Sequence, residues 1–126
     1  MVSMGFTMKT EIEYTLDQLH NRLDTIYGHR LSKVLLYGSQ ARGDAEPDSD
    51  IDVLVVLKGD VSPCEEIDRT IKDIADVSLA NDVVVACVFA SEDQFENEQS
   101  PLLINVRREG IVYEPGTAGL AITSAE

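Results

Sequence analysis

Residues 50–57, Asp-Ile-Asp-Val-Leu-Val-Val-Leu, constrain the fold more than any other segment of the chain. From Val53 onward every position is apolar, so both faces of the strand they form must be covered, and the strand belongs in the middle of a sheet. The flanking sequence supplies covering helices. Between 11 and 27, Ile12, Leu16, Leu19, Leu23 and Ile26 recur at steps of four and three with charges between them, an amphipathic helix that Gly28 stops. Residues 34–37 read as a strand, which Gly38 and Ser39 break. The polar stretch 40–49 leaves room for one helical turn at 39–45 before a turn at Pro47-Asp48-Ser49.

Downstream, Ser62-Pro63-Cys64-Glu65 offers an N-cap, a proline at the first helical position and the Glu of a capping box. This predicts a helix of about four turns whose apolar stripe is Ile67, Ile71, Ile74 and Leu79. The β-branched run 83–89 predicts a third strand. Ser91-Glu92-Asp93-Gln94 and Ser100-Pro101 are two further helix starts, and Gly110 ends the second before a short strand at 111–113. The pattern gives an α/β fold of one domain over 9–113, with residues 1–8 expected to be disordered and 114–126 to form a flexible tail.

Composition narrows the partners. With 10 basic and 23 acidic residues the net charge is −13, which argues against direct binding to a nucleic-acid backbone. No apolar run is long enough to span a bilayer, and two cysteines make no disulfide framework, so the expected setting is the cytoplasm. Two His and two Cys without ligand spacing do not suggest zinc.

Acidic residues two apart occur seven times in this chain, so that spacing alone decides nothing. Context separates Asp50 and Asp52: they open the central strand, where residues two apart share a face at roughly 7 Å. On a helix the same spacing turns two side chains apart. Their mutual repulsion is on the order of 2 kcal/mol at an effective dielectric near 20, and Asp82 would add a third charge if its strand pairs alongside. Hard oxygen ligands of this kind select Mg²⁺ or Mn²⁺, so the three acids read as a divalent-metal site. Two of them have a plainer alternative, Asp50 as a turn cap and Asp82 as a loop-to-strand residue, whereas an acid at Asp52 between Ile51 and Val53 has no structural need to be there. Gly38-Ser39 is either a plain turn or a point where backbone and hydroxyl meet a phosphate. Arg42 either touches that phosphate or pairs with a neighbouring acid.

Gly38-Ser39, ten intervening residues and Asp50-Ile51-Asp52 resemble the signature of the DNA polymerase β-like nucleotidyltransferases. The fuller stretch from Gly38 to Leu57 is similar to their minimal form, the MNT domain. The resemblance implies a small mixed β-sheet flanked by helices and transfer of a nucleoside monophosphate to a hydroxyl. By position it implies Gly38, Ser39 and Arg42 at the nucleotide, and Asp50, Asp52 and Asp82 as catalytic acids holding Mg²⁺ or Mn²⁺. Many MNT proteins are antitoxins paired with a HEPN-domain ribonuclease toxin and add AMP from ATP to one of its tyrosines. The resemblance therefore implies a Mg-dependent protein adenylyltransferase acting on such a toxin. Two alternatives stay open: an antitoxin that neutralises by binding alone, and transfer to a small-molecule acceptor.

Overall fold

The computed structural model describes residues 10–46 and 48–115. The expected disordered segment 1–8, the tail beyond Pro115 and Pro47 of the expected turn lie outside the described residues.

Helix α1 spans Glu11–Tyr27, as its apolar spacing predicts. Thr10 starts it with a capping box: its hydroxyl accepts from the Glu13 N–H, and the Glu13 carboxylate accepts from the Thr10 N–H. Gly28, at φ +58, ends it and leads through one 3₁₀ turn into strand β1, Leu31–Tyr37. A one-turn helix α2 (Ser39–Arg42) and a loop follow, then strand β2 (Ile51–Leu57), helix α3 (Pro63–Asn81) and strand β3 (Val85–Ser91). Helices α4 (Glu92–Asn97) and α5 (Pro101–Glu109) precede the short strand β4 (Ile111–Val112). Ser91 and Ser100 cap α4 and α5 through their hydroxyls, where the sequence placed both starts.

The sheet order is β3-β2-β1-β4. β2 is central as its composition requires; it runs antiparallel to β1 and parallel to β3, so the sheet is mixed. Alternation sorts its residues into two cores. Ile51, Val53, Val55 and Leu57 meet Leu16, Leu19 and Leu23 of α1 and Val77 of α3 on one face. Leu54 and Val56 meet Phe95 of α4 and Leu103 and Val106 of α5 on the other. Each fully buried leucine contributes roughly 1.5–3 kcal/mol, so the continuous apolar run of β2 anchors both layers.

Four expectations need correction. β1 begins three residues earlier than the sequence suggests, and β3 two residues later, because Asp82 and Val83 are used to end α3. Ser62 occupies the N-cap position of α3 but its side chain makes no capping bond, so no box forms with Glu65. The stripe of α3 holds only at Ile74, which packs against the core: Ile67, Ile71 and Leu79 are exposed, and the helix buries Glu66, Thr70 and Val77 instead. A polar anchor sets that rotation. The Tyr27 hydroxyl donates to Glu66 Oε1 at 2.7 Å, and Arg69 Nε donates to the same atom at 3.2 Å.

Burial pushes the Glu66 carboxyl up, but the hydrogen bonds from Tyr27 and Arg69 outweigh it and hold it below the ordinary value. Because the folded value lies below the unfolded one, this contribution is present above the unfolded value of 4.5 and is lost as pH falls through the folded one. Tyr27→Phe should cost about 1–2 kcal/mol at neutral pH, since it leaves one buried acceptor short of a donor. Urea unfolding checks this; an unchanged midpoint would show that the anchor does not hold α3 in place.

Candidate active site

The first half of the site is a turn that only glycine can make. Tyr37, the last residue of β1, pairs with Asp52 across the sheet, and Gly38 follows at φ 76, ψ −155, a region closed to residues with a Cβ. The Gly38 carbonyl accepts from the Ala41 and Arg42 N–H groups, which folds Ser39–Arg42 into α2, and Gly43 at φ 83 closes it. A Cβ at position 38 would stand 2.5 Å from Asp52 Oδ2. The Gly38 backbone is therefore packed directly on the Asp52 carboxylate.

The loop between α2 and β2 is held by its own polar groups. Ser49 Oγ accepts from the Glu46 N–H at 2.9 Å, and Gln40 Nε2 donates to the Ser49 carbonyl at 3.4 Å. Arg42 is ion-paired with Asp44 at 3.3 Å and with Glu109 at 3.1 Å, the pairing with acids that its second sequence reading expects. Its charge still reaches the site, where it lowers the Asp52 pKa.

Asp50 is exposed and sits one residue before β2; Asp52 is half-buried within it. Burial pushes the Asp52 carboxyl above its ordinary value, the neighbouring Asp50 charge pushes it further, and Arg42 only partly offsets both. The Tyr37 phenol is raised as well, by burial first and then by the Asp52 charge. Structure thus brings Gly38, Ser39, Asp50 and Asp52 to one corner, at the end of β1 and the start of β2.

Asp82 is not part of it. The sequence suggests that this acid opens the third strand, but it is the left-handed residue (φ 53, ψ 46) that ends α3. Its N–H bonds to the Leu79 carbonyl and the Val83 N–H to that of Ser78, the bond pair of a Schellman end. Asp tolerates this conformation better than most residues, so the Asn81-Asp82 pair serves the helix end rather than the strand. Asp82 borders a cleft of about 450 Å³ between the start of α1, the 45–49 loop and the end of α3, which neither Asp50 nor Asp52 lines. Among the described residues no group of three or more His, Cys, Asp or Glu side chains is arranged to hold a metal ion, so Asp50, Asp52 and Asp82 do not form the three-acid site.

Two carboxylates remain, and they fit a single hard cation. Mg²⁺ is commonly held through one or two carboxylates together with phosphate oxygens and water, and a cation there would relieve the repulsion that raises Asp52. Without metal the same repulsion works against the fold. The folded pKa of Asp52 lies above the unfolded one, so ionising it costs stability at pH above the unfolded value of 3.8 and nothing well below it. In metal-free buffer at pH 7, Asp52→Asn should therefore melt higher than the wild type, with the gap closing as pH falls toward 3.8. A lower melting temperature for the variant at pH 7 would contradict the strained-acid reading.

Sequence reasoning missed two neighbours of Asp52. Tyr37 faces it from β1 and Ala86 from β3. Tyr37 was within reach, as the residue directly before the Gly-Ser turn. Ala86 was not, because a parallel register across the intervening α3 has no local signal.

Comparison with known proteins follows the same lines. A family model described as "Nucleotidyltransferase domain" matches residues 16–113. Two proteins of Methanocaldococcus jannaschii, each named "Putative protein adenylyltransferase", are similar in sequence. One is 33% identical over 76 residues, covering 60% of this chain and 76% of the relative. The other is 35% identical over 86 residues, covering 68% of this chain and 80% of the relative. The crystal structure of a "putative nucleotidyltransferase" from Sulfolobus solfataricus superposes with a TM-score of 0.55 at 20% identity, over 96% of this chain and all of that one. A crystal structure of a toxin–antitoxin with AMP-PNP gives a TM-score of 0.58 at 18% identity, over 80% of this chain and 73% of the other. At these identities the two structures support the fold.

Proposed function

Because the chain belongs to the nucleotidyltransferase domain family, we propose that it transfers AMP from ATP to a protein hydroxyl, a tyrosine of a HEPN ribonuclease toxin, and so acts as that toxin's antitoxin. The observation that carries this reading is the packing of the Gly38 backbone against Asp52, which sets the Gly-Ser turn beside the acid pair. In this reading Gly38 and Ser39 receive the triphosphate, with Arg42 near enough to add positive charge. Asp50 and Asp52 hold the divalent ion; when bound, it neutralises phosphate charge. The acceptor oxygen bonds to the α-phosphorus as the link to the β-phosphate breaks, pyrophosphate leaves, and the acceptor proton passes to water.

The protein acceptor is supported by the two archaeal relatives named as protein adenylyltransferases. The toxin partner is supported by the fold neighbour solved as a toxin–antitoxin, and by a charge of −13, which suits docking to a basic RNA-binding protein. One observation favours a second reading, neutralisation by binding alone: Asp82 does not join the acid pair, which leaves the site two carboxylates.

Incubation of the chain with the toxin candidate, Mg²⁺ and ATP, followed by intact-mass measurement, separates the two. A gain of one or more AMP units on the toxin, lost on Tyr→Phe substitution at the modified residue, is the expected result. An inhibited toxin of unchanged mass would replace transfer with capture, and AMP found on a small molecule instead would move the acceptor.

A further inference from the structure

The acid pair sits beside a position where the chain could have carried a third carboxylate and does not. β2 and β3 are parallel, with Asp52 beside Ala86, Leu54 beside Val88 and Val56 beside Ala90. Leu54, Val56 and Ala90 share the core under α4 and α5, which fixes the face to which this alternating set projects. Asp52 and Ala86 therefore project to that same face, on neighbouring strands about 4.8 Å apart. At the one place from which a β3 side chain could share a cation with Asp52, this chain has a methyl group.

The alternating residues on either side, Val84 and Val88, are apolar too. Asp82, the nearest acid before them, is fixed in the left-handed end of α3 by the Asp82 and Val83 backbone hydrogen bonds, and reaching the strand would undo that helix end. A first ion arriving with a triphosphate finds two carboxylates, phosphate oxygens and water, a sufficient set for Mg²⁺. A second would have to use the same two carboxylates against the charge of the first, since among the described residues no third acid is arranged with them to offset the repulsion. We propose that this chain binds one divalent cation per nucleotide and that Ala86 sets that number. The inference rests on the reading of the Asp50/Asp52 corner as a nucleotide site and goes beyond it by counting the ions.

Equilibrium dialysis of the full chain against Mn²⁺ and α,β-methylene ATP, a donor whose α–β link cannot be cleaved, gives the retained ratio of metal to nucleotide. The wild type should retain about one Mn²⁺ per nucleotide, and little Mn²⁺ when the nucleotide is omitted. Ala86→Asp should raise the ratio toward about two, whereas Ala86→Asn, of the same shape without the charge, should leave it near one. Circular dichroism confirms that each variant is folded; were Ala86→Asp to unfold, the wild-type ratio still decides. A wild-type ratio near two, or an Ala86→Asp ratio that stays at one in a folded protein, would overturn this inference while leaving the nucleotide site intact. Retention of neither nucleotide nor metal by the wild type would instead overturn the nucleotide reading itself.

Discussion

Asp52→Asn is expected to lower AMP transfer by at least about 10³-fold while the partner still binds, a loss on the order of 4 kcal/mol of transition-state stabilisation. Asparagine keeps the volume and one acceptor oxygen of the side chain, so neither β2 nor its pairing with Tyr37 has reason to move. What it removes is charge, on the more buried of the two carboxylates. Since metal-free stability should rise in the same variant, the two readouts move in opposite directions, which simple misfolding cannot imitate. Initial rates with saturating ATP and Mg²⁺, alongside a binding isotherm for the partner, make the measurement. A rate within tenfold of the wild type would remove Asp52 from the chemistry.

The second large effect is expected at Gly38. Gly38→Ala places a Cβ only 2.5 Å from Asp52 Oδ2, on a backbone at φ 76 that L side chains rarely adopt. The backbone strain should cost roughly 1–3 kcal/mol of stability. A clash with the tip of a side chain is relieved by rotating that side chain, so the carboxylate gives way before the strand does. Activity should then fall by more than about 10²-fold, because displacing a catalytic group by about 1 Å is enough for such a loss. Gly59→Ala supplies the control: its φ of 81 is also one that L side chains rarely adopt, but a Cβ there meets nothing within 4 Å. It should lose stability and keep its activity. Equal activities for Gly38→Ala and Gly59→Ala would show that the close approach of Gly38 to Asp52 has no functional consequence.

Both predictions depend on contacts between residues that are separated in sequence, and the sequence was informative about them to different degrees. The Gly-Ser turn and the Asp50/Asp52 pair could be read directly, since each is a local break or a local opening of a strand. Their meeting was only implied by resemblance until the antiparallel pairing of β1 with β2 set Tyr37 opposite Asp52. Asp82 shows the opposite outcome. Its neighbours Val83 and Val84 have the composition of a strand, yet the helix before them needed a left-handed residue to end on, and Asp82 supplied it.

The α3 stripe failed for a related reason. Of the four apolar residues read as its stripe, Ile74 packs on the core, but Ile67, Ile71 and Leu79 are left exposed where the long-range hydrogen bond from Tyr27 to Glu66 turned a different face inward. Periodicity reports which face is apolar, and it cannot report a polar anchor that lies 39 residues away.

Sequence alone determined what depends on neighbours along the chain: the capped helices α1, α4 and α5, the central position of β2, and the glycine turn ahead of an acid pair. Only the tertiary structure decided which groups meet across strands and helix ends, namely that Gly38 rests on Asp52, that Ala86 rather than an acid flanks it, and that Asp82 closes a helix. Local patterns record burial and turn chemistry within a few residues. Register and helix rotation are set by contacts that close only when the whole sheet has formed.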